Sequence, residues 1–204
     1  MTNPARKNSG SHARPDAALR RRIEMLFDRL HVFFVSAPNI WAKWDAVPAA
    51  KQLQRLPRAW HPHVVRYAMR RFRTVPRIVS RKGDESYVNR RHLERCAIDS
   101  LIGSLLKNAI AQDSSILDQV CRWSRAVRGY DTCLSTSASA ILKAIARHAA
   151  IAPPTRDMRA WLDHMNGGWS TRGSYFRRQT QRARELLIVA QPFAAAPTVT
   201  RTGT

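Results

Sequence analysis

The feature that most constrains this chain is the apolar pattern between Asn89 and Gln112. Leu93, Cys96, Ala97, Leu101, Leu105 and Ala109 recur there at helical spacing and form one stripe over about five turns. Such a stretch cannot be a half-buried strand, because a period of two would turn part of the same set to water. Asn89 suits the cap of this helix, and the rest of the chain must pack around it as a hub. The expected fold class is therefore mainly all-α, a helical bundle with a C-terminal helix-turn-helix-like unit.

Other segments repeat the period. After Pro15 and Asp16, which suit a first turn, Leu19, Ile23, Leu26, Phe27, Leu30, Phe33 and Phe34 mark an amphipathic helix. Trp41, Trp44, Val47, Leu53 and Leu56 mark a second, proline-interrupted region, and Pro62 restarts a helix carrying Val65, Met69 and Phe72. Ser114 and Ser115 cap a further helix that stops at Gly129, and Tyr130 to Leu134 read as a loop. Three more helices are expected: Ser135 to Ile151, closed by Pro153 and Pro154; Thr155 to Met165, closed by Asn166, Gly167 and Gly168; and Ser174 to about Ala190. Around Lys82-Gly83-Asp84-Glu85, the stretches Arg77–Ser80 and Ser86–Val88 offer one short β-hairpin, with an exposed loop as the alternative.

The domain reading is a disordered basic arm over 1–14, a helical domain over 15–130, a helix-turn-helix-like unit over 131–192 that either has its own core or shares the first, and a disordered tail over 193–204. Residues 1–15 have the basic, acid-free composition of a transit peptide but lack its amphipathic periodicity. No apolar run approaches the roughly 18 residues of a membrane span, and no secretory signal is evident at the start. Cys96 and Cys121 fall on apolar helical faces and read as buried thiols, and Cys133 leaves the number odd. A reducing compartment follows, the bacterial cytoplasm or nucleoid being favoured.

Charge limits the function classes. An apolar content of 44% suffices for a core, but the formal net charge of +21 opposes compaction and calls for a polyanionic partner. Most of the cations are arginine, which contacts phosphate and guanine bidentately and stacks on bases. They cluster. No acid occurs between Asp45 and Asp84, whereas Lys51, Arg55, Arg58, Arg66, Arg70, Arg71, Arg73, Arg77, Arg81 and Lys82 all do. With Trp60, His61 and Tyr67 interleaved, this stretch has the composition of a phosphate-tracking surface, Trp60 and Tyr67 being either stacking platforms or core residues.

A second acid-free stretch lies between Asp163 and Glu185. On a helix, Phe176, Thr180, Ala183 and Leu187 line one face, Arg177, Gln181 and Arg184 another, and Arg178 and Arg182 flank the latter. Arg and Gln read guanine and adenine edges in the major groove, so Arg177, Arg178, Gln181, Arg182 and Arg184 are the candidate base contacts. The helix over 155–165 and the turn over 166–174 complete a helix, connector, helix unit.

Ile141 to Leu187 resembles the C-terminal winged-helix module of plasmid replication initiators. The likeness lies in the helix ending Ala149-Ala150-Ile151, the proline-containing loop, the short helix with Met158, Trp161 and Leu162, the aromatic Trp169, and the run from Arg178 to Leu187. It implies a last helix lying in DNA and a role in origin or operator binding. The β-wing of that family has one counterpart here, Leu187 to Phe193, which Pro192 interrupts.

No catalytic set is apparent, and the chain is expected not to be an enzyme. In His61-Pro62-His63, with Tyr67 and Arg66 following, a strand-nicking site would need its histidines on a central strand, whereas Pro62 places them at a helix start. There is no Cys-x-x-Cys, His-x-x-x-His or phosphate-cradling glycine loop, so no metal and no cofactor is expected. Ser135, Ser137 and Ser139 read as cap or surface residues. The expected function is nucleic-acid binding, double-stranded DNA in plasmid or phage replication or its regulation. An RNA-binding protein is the first alternative, and a non-enzymatic effector or inhibitor docking its basic face on an acidic protein partner is the second.

Overall fold

The computed structural model describes residues 16–36, 47–75, 85–127 and 135–168, together with Arg178, Gln181, Arg182, Glu185, Leu186 and Ile188. These residues form seven α-helices: α1 (Ala17–Ser36), α2 (Pro48–Gln54), α3 (His61–Thr74), α4 (Glu85–Gln112), α5 (Ser115–Ala126), α6 (Ser135–Ala149) and α7 (Arg156–Gly168), with one 3₁₀ turn (Arg58–Trp60) before α3. No strand occurs among the described residues. The expected arm, the tail, Trp41, Trp44 and Cys133 lie outside them.

α4 is the hub, packing on α1, α2, α3, α5 and α6. The stripe read from the sequence supplies Ala97, Leu101, Leu105 and Ala109 to the core, but Ile98, Ile102 and Leu106 are buried as well. Two buried stripes make α4 a central helix instead of a surface one. The buried side chains of α6 and α7 belong to the same cluster as those of α1 to α5. Burial of this shared core, in which Phe27, Phe72, Trp123 and Trp161 are among the largest side chains, is the main favourable term.

The hairpin is not formed. Ser86, Tyr87 and Val88 are helical, because α4 starts at Glu85, four residues before the expected Asn89 cap. Extending an existing long helix by one turn is cheap. An isolated hairpin is marginal by comparison. α7 likewise continues through Gly167 and Gly168, which were expected to stop it, while α5 ends at Ala126, before Gly129.

Polar contacts fix how the helices join. Asp99, buried within α4, accepts the backbone N–H of Thr136 at 3.0 Å and that of Ser137 at 3.3 Å, capping α6 from outside. Burial raises its carboxyl from 3.8 to about 7, against the pull of those hydrogen bonds. On the other side of the hub, His31 of α1 meets the buried Glu94 at 3.0 Å. Gly103 allows α4 and α6 to touch: a Cβ there would lie 2.8 Å from Cγ2 of Thr136. Trp123 donates its indole N–H to the Met69 carbonyl, tying α5 to α3, and its ring meets Phe72 edge to face at 5.3 Å.

Candidate nucleic-acid interface

α3 carries the centre of the basic run, and its sequence divides it cleanly. Val64, Val65, Ala68, Met69 and Phe72 face the core, so at 100° per residue Arg66, Arg70 and Arg73 follow one outer flank, and Tyr67 and Arg71 the other. Neighbouring helices then sort these cations. On the first flank Arg66 is engaged internally: its terminal nitrogen pairs with Asp113 and its Nε donates to Oε1 of Gln119 at 3.0 Å. Asp113 also accepts the N–H and hydroxyl of Ser115, starting α5. Burial pushes the Asp113 carboxyl up, but the bonds from Ser115 and Arg66 and the guanidinium charge outweigh it and hold it below its ordinary value.

On the second flank, Arg71 lies 3.9 Å from Asp28 of α1 and is three-quarters covered. Tyr67 is half-buried with its ring centroid 4.9 Å from that of Phe27, and the Arg70 guanidinium sits 5.4 Å from the tyrosine ring. Burial, then Glu24 and Asp28, raise its hydroxyl above the usual range. Trp60 is also half-buried against the core. Both aromatics thus spend part of their surface on packing, which leaves little ring face for a base.

Arg55, Arg58, Arg70 and Arg73 are exposed and carry no ion pair among the described residues. With Lys51, which is exposed as well, they are the part of the first stretch presented outward among the described residues. Arg77, Arg81 and Lys82 lie outside the described residues. His61 is buried at the start of α3, where its Nε2 donates to the Leu56 carbonyl at 2.9 Å and closes the turn. No cluster of three or more His, Cys, Asp or Glu capable of holding a metal occurs among the described residues.

Ahead of the second stretch, α7 is docked on α5. Arg122 and Arg125 both reach Asp157, Thr155 donates to Asp118 at 2.5 Å, and Trp161 donates to Ser124 at 3.1 Å. Beyond it, Arg178, Gln181 and Arg182 are helical and exposed, at the i, i+3 and i+4 positions of one face. Gln181 donates to Glu185 at 3.1 Å, and Leu186 packs on the core. Arg177, Arg184, the connector beyond Gly168 and the four expected core positions of this helix lie outside the described residues.

Sequence reading missed the exposed cations of α1. Arg20, Arg21, Arg22 and Arg29 surround its buried stripe, but Asp16, Glu24 and Asp28 interleave with them, so a search for acid-free stretches passes over the helix. It also missed Lys107 on α4 and Lys143 and Arg147 on α6, which are isolated in the sequence and come together beside one groove. Cys121 is buried, with its thiol pushed up by that burial, and Cys96 is half-buried. No helix among the described residues is long and apolar enough to cross a membrane. The chain matches no known protein-family model, no curated protein and no solved structure.

Proposed function

We propose that the protein binds nucleic acid, double-stranded DNA above all, without performing chemistry on it. The observation that carries this reading is the net charge of +21, together with the exposure of Arg55, Arg58, Arg70 and Arg73 after Arg66 and Arg71 have found partners inside the fold. These four cations fix the protein to phosphates. Arg178, Gln181 and Arg182, sharing one exposed helical face, contact base edges. A setting in plasmid or phage replication or its control rests on the likeness of Ile141–Leu187 to the winged-helix module of replication initiators.

The two roles are separated by mutation. Arg70→Ala with Arg73→Ala should weaken selected and random duplexes equally and reduce the salt slope by about two contacts. Arg178→Ala should instead cost roughly 1–3 kcal/mol on a selected site and little on random DNA. An Arg178→Ala variant that lost both to the same degree would remove the base-reading role.

A further inference from the structure

α4 and α6 touch at Gly103 and Thr136, and beyond that contact a groove of about 990 Å³ runs between them to the first turn of α5 and the α6–α7 connection. Its bottom is apolar, from Leu117 of α5, Ala144 of α6 and Met158 of α7, and at its end Ile151 is 85% exposed. Cations stand on both banks, Lys107 on α4 and Lys143 and Arg147 on α6. The acid in the lining, Asp118, is held by the Thr155 hydroxyl.

We infer that this groove is a docking site for an acidic amphipathic helix of a partner protein. Length, apolarity and charge each narrow the occupant. The α6 bank from Thr136 to His148 is about 18 Å long, three turns of helix, which exceeds a compact small molecule. Apolar anchors at i, i+3 or i+4 and i+7 would cover the bottom and Ile151, which a phosphate backbone would leave exposed. Carboxylates on the two flanks of the incoming helix meet the two cationic banks. A second copy of this chain has the wrong charge for that role. The inference does not rest on nucleic-acid binding.

The test uses fluorescein-labelled, end-capped peptides of four turns: one with leucines on one face and glutamates on both flanks, one with the leucines changed to serine, and one with the glutamates changed to lysine. Anisotropy is read with the full-length protein in physiological salt. The acidic amphipathic peptide should bind saturably, and both altered peptides at least tenfold more weakly. Ala111→Trp, an exposed position on the α4 bank, and the pair Lys143→Glu with Arg147→Glu should each weaken binding at least tenfold. An equal charge change at Arg20 and Arg21 on α1 should alter it less than twofold, with helicity by circular dichroism unchanged throughout. Excess duplex DNA should leave the peptide bound. Failure of the acidic peptide to bind, indifference to Ala111→Trp, or displacement by DNA would each overturn the proposal.

Discussion

Replacing Asp99 by Asn should make the protein more stable relative to its parent as pH rises. In the parent, burial holds the carboxyl at about 7 against an ordinary 3.8, so the folded chain keeps its proton more tightly than the unfolded chain does. A raised folded pKa means that the contribution is fullest below 3.8 and is lost as pH rises toward about 7. Linkage gives a loss of about 2 kcal/mol between about pH 5.5 and about pH 8. Asn keeps an oxygen to accept the Thr136 and Ser137 N–H groups but has no charge to desolvate, so its stability lacks this slope. Urea unfolding of both proteins, followed by far-ultraviolet circular dichroism across that range, gives the difference in stability at each pH; groups common to both cancel. The Asn variant should gain on the parent by about 2 kcal/mol over the range. If the difference between the two proteins stays constant across that range instead, the N-terminus of α6 holds Asp99 as an anion throughout it and the reasoning from burial is refuted.

Three further outcomes test the packing and the division of labour among the arginines. Trp123→Ala empties the contact with Phe72 and removes the indole donor from the Met69 carbonyl, and should cost about 3–5 kcal/mol in a urea titration. Gly103→Leu forces a side chain into Thr136 and should cost about 1–3 kcal/mol; Thr136→Ser, which deletes the nearest methyl, should recover part of that loss. Arg66→Met should lower stability, and more steeply above the unfolded carboxylate range than in acid, because Asp113, held ionised by Arg66 and Ser115, loses that partner. The same change should leave the salt slope of DNA binding unaltered, whereas Arg70→Ala should lower it by about one contact.

Much of the fold was legible because helical periodicity carries it. The stripe from Leu93 to Ala109 placed the hub, and Leu19 to Phe34 placed α1, both by spacing alone. The second buried stripe of α4, Ile98, Ile102 and Leu106, was less visible, since a helix apolar on two sides has little contrast between faces. Helix ends were least legible. Glu85 and Gly168 show that propagation from a stable helix can override a nearby cap or glycine. For the interface, the density of arginine between Arg55 and Arg73 was plain, but its partition was not. Which guanidinium stays free depends on Asp113 and Asp28, distant in sequence and brought alongside only by the packing of α1 and α5 on α3. The groove is illegible for the same reason: Lys107 and Lys143 share a site only once Gly103 has let α4 and α6 meet.

The central claim is that this excess of positive charge serves nucleic acid, and a salt titration tests it most directly. Binding of the full-length protein to random duplex DNA, single-stranded DNA and RNA should be measured over a range of salt concentrations. Duplex DNA should bind most tightly, with log affinity falling against log salt at about −0.9 per contact and about five contacts or more. Preference for RNA would transfer the account to an RNA partner. Weak binding of all three near physiological salt would contradict it.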